Sequence, residues 1–577
     1  MDVHLLAQTP VGFNWIDWGV VAGYLVLTTV LGARLAGKQA TIRDFFLGGR
    51  KLPWWAVCGS TIATEVSTAT FLVVPTLSFA AGGNLTYLQF AIGSIIARVI
   101  VGLYFVPRFY EREIYSPYDY VGNRLGRRVK TVTTGLFLIG AILGQGARLY
   151  TSAFALAIVA DVPLSTAIWL MGGFSVLWAM IGGITMVIWT DVIQFVILMT
   201  GAAVALGYAV LSIPAPLADV VSMASEAGKF QILNLSTDLS VPYTLWAGLL
   251  AIPFTNLAAF GTDQVNAQRM FCCRNQGDAA KSMIVSSVGI SIALIMLLVG
   301  IALHAYFQYS PFTPEEAARY NEKPTYLLPI FIVRALPIGV RGIIVAAIFA
   351  AAVSTLESVL AALAQTTSEP FLKRFAKPRG RGAWWRGEVA ISKILVLAWG
   401  VVLCGMAMLS IEMDKRYANT IDFVLALASY TAGPLLGIFL LAFLPNPPSD
   451  RGLPWAVPLA VLAVFAMLQR DIPLTLPAGL TVNFADWVVW MGCLIALSLG
   501  LLRLHGDVRK VSALTFAVIA IVGLHLWQVG VDDLGRPKYP AYPWSYPVGP
   551  LFTFGLGYVL GQADAPRAKA TPRRKRA

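Results

Sequence analysis

Apolar runs long enough to cross a lipid bilayer recur along the chain, and no other feature restricts its fold as much. A hydrocarbon core takes about 17 to 25 helical residues per crossing, and backbone polar groups in lipid must be satisfied within the segment, so such runs form helices. The runs fall at 15–36, 54–80, 85–106, 132–159, 165–180, 184–211, 243–260, 283–306, 337–364, 389–409, 418–443, 455–468, 484–504, 511–529 and 543–562. They predict an all-α polytopic membrane protein of about fifteen transmembrane helices, with 455–468 the shortest. The connections are short and leave no room for a sizeable soluble domain. Charged residues make up 13% of the 577, where a soluble domain carries about 25%.

The net charge of +13 raises nucleic acid as a partner, but its placement argues for the lipid bilayer instead. Arg34, Lys38, Arg43, Arg50 and Lys51 fill the first connection, Arg124, Arg127 and Arg128 lie in the third, and Arg269, Arg274 and Lys281 in the seventh. Lys373, Arg374 and Arg386 lie in the ninth, and the chain ends "PRRKRA". Alternate basic connections predict an N-terminus outside, a C-terminus in the cytoplasm and, for a bacterial protein, the inner membrane. The first apolar run lacks the flanks of a cleavable signal. The five cysteines have no C-x-x-C spacing and the four histidines no H-E-x-x-H spacing, so neither a disulfide framework nor metal hydrolysis is expected.

Two spans read as interrupted. "GSTIATEVSTATFLVVPTLSF" gathers Ser60, Thr61, Thr64, Ser67, Thr68 and Thr70 around Glu65 and places Pro75 mid-span, and "YTLWAGLLAIPFTNLAAFGTDQ" has Pro253 before Thr255 and Asn256. Freed carbonyls survive in a membrane only when buried in protein or lining a watery cavity. A lone proline kink has a bland explanation in neighbouring Ser and Thr. The matched pair instead opens two successive groups of five helices, the arrangement of inverted repeats that bind substrate and ion at broken helices.

A third stretch, "AAAVSTLESVL", puts Ala351, Ser354, Thr355 and Ser358 on one helix face at i, i+3, i+4 and i+7. The residues alone leave two readings. Oxygen donors suit a hard cation such as Na+, while Ser and Thr also simply bridge packed helices, each bond contributing about 0.6 kcal/mol on average.

"RDFFLGGRKLPWW", "GGITMVIWTDVIQ", "FGTDQVNAQRMF", "AAIFAAAVSTLESVL" and "YTAGPLLGIFLLAFLPN" occur in the order found in the sodium:solute symporter family, which the chain resembles from about Arg43 to Asn446. The resemblance implies a leucine-transporter-type fold: an extra first helix and basic loop (1–53), inverted repeats at 54–213 and 242–444, about four further helices (445–562) and a basic tail (563–577). It implies a main Na+ site of the Ala63, Val66 and Ala351 carbonyls with the Ser354 and Thr355 hydroxyls. Asp191 matches a carboxylate linked to a second ion or to the inner pathway, and Ser358 a second-ion hydroxyl. Glu357 stands where some relatives have a hydroxyl, which leaves a second Na+, a proton or nothing as occupants.

For the solute, the resemblance points to walls from the second, third, fourth and seventh spans, with Glu65, Ser67, Thr70, Gln89, Arg148 and Asn256 as candidates. An arginine deep in a span is expensive. Arg148 in "GQGARLYTSAFAL" either clamps a carboxylate bidentately or pairs with Glu65 and orders two helices. Asp263 and Arg269 read as a solvated inner-face charge pair. The expected activity is Na+-driven uptake of a small polar solute (sugar, sugar acid or monocarboxylate) by alternating access. Proton coupling on the same fold is the alternative, motivated by Glu65, Asp191 and Glu357. A membrane sensor or scaffold is a second, weakened by the fifteen or so residues expected after the last span. An enzyme is not expected, because no nucleophile, base and orienter assemble from the sequence.

Overall fold

The computed structural model describes residues 14–37, 41–111, 114–160, 162–375, 380–414, 420–470, 473–475, 481–504, 507–532 and 535–562; the basic tail and residues such as Lys38 lie outside them. The described chain is almost entirely helical. Ten of its helices are long and apolar enough to cross a membrane, or eleven if the bent pair Trp54–Glu65 and Thr70–Phe79 counts as one span.

The smaller number than the fifteen expected has identifiable causes. The expected fifth and sixth spans form one helical run, Leu164–Leu211, of 48 residues. A straight helix of that length would extend about 72 Å, more than twice the hydrocarbon core. Gly183, with φ 55° and ψ −155°, breaks the run at the expected connection. A Cβ there would lie 2.5 Å from the Phe45 carbonyl oxygen, so both the backbone conformation and the close approach require glycine. Ala247–Thr262 and Val548–Gln562 are apolar but shorter than a full crossing, and the apolar stretch Ser429–Ala442 is the C-terminal part of a 23-residue helix, Thr420–Ala442. An apolar helix not expected from the sequence, Leu327–Ala335, buries Leu327, Leu328, Phe331 and Ile332.

The described residues divide into two compact units. The first comprises the chain to Pro117, Phe137–Thr237 and Tyr243–Ala428. Its axis is the helix Val340–Phe375, whose most apolar window is 94% buried. Along it pack Leu164–Leu211, Trp15–Ala36, Gly380–Asp414 and Trp54–Glu65. Small residues permit the contact: a Cβ on Gly201 would lie 2.4 Å from that of Ala347, the close backbone approach that holds helices together where lipid gives no hydrophobic drive.

The second unit comprises Tyr118–Leu136, Asp238–Pro242 and the chain from Ser429. Leu453–Leu468, Phe484–Leu504, Val508–Leu526 and Val548–Gln562 bury a core of Leu459, Val489, Leu514, Ile521, Leu556 and others. His525 joins three of these helices by hydrogen-bonding the Ala466 carbonyl at 3.0 Å and Asp486 at 2.7 Å.

The two interruptions differ in kind. Trp54–Glu65 ends in an extended Val66 (φ −71°, ψ 107°), and the chain resumes as Thr68–Leu72 and then Val74–Phe79, with Pro75 in its first turn. The flanking helices bend by 61°. At Pro253 the helix does not open. It widens into π-turns at Ala247–Ala251 and Ala258–Thr262 on either side of Ile252–Leu257, and stops only at an extended Asp263. A π-turn absorbs the bond that proline cannot make without unwinding the backbone.

Candidate functional site

The break after Glu65 follows from its residues. Val66 takes an extended conformation, its N–H closes the last helical bond to Ile62, and Thr70 N–H turns back to the Ser67 carbonyl. Among the described residues no backbone N–H reaches the Ala63 or Val66 carbonyls. Those oxygens are the kind that a membrane interior tolerates only with a ligand, a side chain or water as partner.

Against this break lies the hydroxyl face of Val340–Phe375. Thr355 Oγ1 sits 3.3 Å from the Thr64 carbonyl oxygen and 3.1 Å from that of Ala351, both of which accept from it. Ser354, one residue earlier, donates to Asp191 Oδ1 at 2.5 Å. That bond takes the Ser354 proton and leaves lone pairs on an oxygen polarised by a carboxylate. The expected Na+ ligands therefore come from two elements that meet. Two carbonyls at the break lack a backbone donor among the described residues, and two hydroxyls and the Ala351 carbonyl lie on the neighbouring helix; all are oxygens, the donor type that suits a hard monovalent cation.

Asp191 is the centre of a larger network than the sequence suggested. Its Oδ2 accepts from Ser60 at 2.5 Å and from Arg269 at 2.9 Å. Arg269 also donates to the Thr64 and Ser358 hydroxyls, to Ser60 Oγ at 2.8 Å and to the Val265 carbonyl at 2.9 Å. Arg269 is fully enclosed, which corrects the solvated role expected for it. Its neighbour in the motif, Asp263, caps helix Gln264–Phe271 by accepting from Val265 N–H at 2.7 Å. Surface reasoning failed here because the short helix that follows the seventh span is buried rather than solvent-facing: Gln264, Gln268, Arg269 and Phe271 are all covered.

Glu357, three residues after Ser354 on the same helix, lies beside this network. It is fully buried, and its Oε1 accepts from Thr190 at 3.0 Å. Ser358 donates to the Ser354 carbonyl at 2.7 Å while it accepts from Arg269.

The solute candidates separate into two sets. Gln89 is buried and its amide is fully engaged: Nε2 donates to the Thr86 and Tyr243 carbonyls at 3.2 Å each, and Oε1 accepts from Asn234 N–H at 3.1 Å. It pins the segment around Asn234 and Tyr243 to the third span, and a solute contact would have to displace those bonds. Asn256 is likewise engaged, donating to the Ile252 carbonyl at 3.1 Å and accepting from Ser94 at 3.1 Å. Ser67 and Thr70 are partly exposed at the break.

Glu65 pairs with Arg98, not with Arg148. Arg98, in "IGSIIARVI", went unread in the sequence although an arginine in the middle of a span is the same costly signal that drew attention to Arg148. Arg148 itself is partly buried and, among the described residues, forms no hydrogen bond or ion pair. It lies one turn from Ser152, which accepts a hydrogen bond from Thr68 at 2.9 Å, so its helix face is turned to the break. Glu65 and Asp263 are the carboxylates whose fields reach it.

Comparison with known proteins agrees with this architecture. The chain is 28% identical to the human sodium/iodide cotransporter over 452 residues, covering 77% of this chain and 68% of that protein. It is 29% identical to human sodium-coupled monocarboxylate transporter 1 over 446 residues, covering 76% and 71%. With the sodium/sialic acid symporter SiaT of Proteus mirabilis (strain HI4320) it shares 27% over 437 residues, covering 74% and 84%. The solved substrate-bound, outward-open structure of a Na+-coupled sialic acid symporter superposes with a TM-score of 0.68 at 22% identity, covering 89% of this chain and 98% of that one, which shows a common fold. The family model described as "SSF: Sodium:solute symporter family" matches residues 45–452, and the chain belongs to that family of transporters.

Proposed function

We propose that this protein is a Na+-coupled symporter that takes up a small organic anion, with a carboxylate as the group recognised, by alternating access. The observation that carries the anionic part is Arg148: a costly guanidinium at the helix break with no hydrogen-bond or ion-pair partner among the described residues, while Glu65, its expected alternative partner, is held by Arg98. Relatives named for monocarboxylates and for sialic acid are in keeping with this reading.

In this reading Na+ binds between the Ala63, Val66 and Ala351 carbonyls and the Ser354 and Thr355 hydroxyls. Binding there ties the broken helix to Val340–Phe375, so the ion and the solute stabilise the same arrangement of one break. The repeat organisation at 54–213 and 242–444, with an N-terminus outside and a C-terminus in the cytoplasm, belongs to the same proposal.

Energetics constrain the stoichiometry. A tenfold Na+ gradient supplies about 1.4 kcal/mol per ion, and a net charge crossing 100 mV adds about 2.3 kcal/mol. One Na+ moving with a monoanion carries no net charge, so only the ion gradient drives it.

Uptake by proteoliposomes under separately imposed Na+ and pH gradients tests the coupling: accumulation is expected to follow Na+, and accumulation that follows pH and ignores Na+ overturns it. Arg148→Gln tests the anion. Binding of carboxylated solutes is expected to fall at least tenfold with neutral solutes unaffected, and an equal loss for both marks a structural role.

A further inference from the structure

A guanidinium enclosed at mid-span is held wherever its partners put it, and Arg98 has partners on several sides. It lies in helix Phe90–Ile100 with no exposed side-chain surface. It donates to the Glu65 carboxylate, to Ser94 Oγ at 2.5 Å and to Ser286 Oγ at 3.1 Å, and its guanidinium carbon lies 4.2 Å from the centre of the Phe260 ring. Ser94 is fixed in turn by Asn256, at 3.1 Å. These contacts come from the third span, the seventh span and the turn Ser286–Gly289, so no single side-chain rotation releases the arginine.

What Arg98 holds is only half of Glu65. The pair engages Oε2, and Oε1 has no donor among the described residues. A third of the Glu65 side-chain surface is open, whereas Thr64 and Val66 on either side are buried. Because Glu65 is the last helical residue before the break, its open oxygen lies where the chain unwinds, within the field of Arg148.

We infer that Arg98 is a positioning residue, holding Glu65 so that its free carboxylate oxygen accepts a hydrogen bond from the solute, and that the solute is an organic acid bearing a hydroxyl or N–H group. The inference rests on the anionic reading above and deepens it: Arg148 takes the carboxylate and Glu65 takes a donor on the same molecule. Pairing with Arg98 also cancels the charge that would otherwise repel an incoming anion. An unsubstituted acid strips water from the Glu65 oxygen and offers no donor in return, an expected loss of about tenfold to a hundredfold in binding.

The test is binding to the purified full-length protein at saturating Na+, with acids matched in carbon number: lactate against propionate, and gluconate against hexanoate. The readout is the preference ratio within each pair, which a general loss of stability does not move. In the wild type a hydroxylated acid is expected to bind at least tenfold more tightly than its counterpart. Glu65→Leu/Arg98→Met, which removes both charges and the acceptor oxygen, is expected to bring the ratio near one with the unsubstituted acid still bound. Arg98→Lys, which keeps the pair but loses the guanidinium fork, is expected to give an intermediate ratio, and it serves if the double variant does not fold. A wild-type preference for the unsubstituted acid, or a ratio unchanged in the variants, overturns the inference and leaves the anionic reading standing. Indifference of every acid to Arg148→Gln overturns that underlying reading instead.

Discussion

Arg269 and Asp191, 78 residues apart, form an ion pair at 2.9 Å in which neither side chain has any exposed surface. Removing one partner of such a pair strands the other charge in a low-dielectric interior at about 3–5 kcal/mol, while removing both is far milder. Asp191→Asn and Arg269→Met are therefore each expected to lower the apparent melting temperature markedly, and the double variant to recover much of the loss. Additive losses in a thermal-unfolding cycle would mean that the pair is not a unit.

Thr355 bridges the carbonyls of Thr64 and Ala351, so its hydroxyl joins the break to the central helix with no charge involved. Thr355→Ala is expected to raise the Na+ concentration for half-maximal uptake by roughly tenfold, the equivalent of one oxygen ligand. Solute affinity at saturating Na+ is expected to hold. Sodium titration of uptake measures this, and an unchanged half-saturation point would remove Thr355 from the ion site.

Lys229 is buried and its ammonium donates to the carbonyls of Ser78, Phe79 and Ala80, at 2.9, 3.1 and 2.6 Å. A cation on the last carbonyls of a helix satisfies acceptors that have no helical donor and favours the negative end of the dipole. Lys229→Met is expected to cost about 1–3 kcal/mol, and hydrogen exchange in Val74–Phe79 to accelerate first. Exchange that rises uniformly across the protein would contradict a local cap.

Gly183 has positive φ and a carbonyl in the place a side chain would take. Gly183→Val is expected to reduce the yield of folded protein sharply, from backbone strain of about 1–3 kcal/mol plus the clash with Phe45. Normal yield and melting temperature for that variant would show that the run turns elsewhere.

Much of this molecule is legible one helix at a time. Bilayer-length apolar runs fix helical crossings because lipid satisfies no backbone group. The 3.6-residue period alone places Ala351, Ser354, Thr355 and Ser358 on one face, and crowded hydroxyls around Glu65 mark where a helix is weak. Spans 165–180 and 184–211 are expected as two crossings, and the backbone runs helical through both except for a single kink at Gly183.

What depends on pairing was not legible. Arg98 and Arg148 carry the same signal in sequence, a charge too costly for lipid, yet one is enclosed by Glu65, Ser94, Ser286 and Phe260 and the other has no hydrogen-bond or ion-pair partner among the described residues. Arg269 read as a surface charge because the helix that carries it is short, and nothing in a local window reveals that Ser60, Asp191 and Ser358 converge on it. At Pro253 the same residue type that marks a break was absorbed by π-turns. The sequence by itself determined which segments are apolar helices and which faces carry oxygen, because those follow from the local demands of backbone and period. The tertiary structure alone decided which charge meets which, because a buried side chain's partner is chosen by packing between segments tens to hundreds of residues apart.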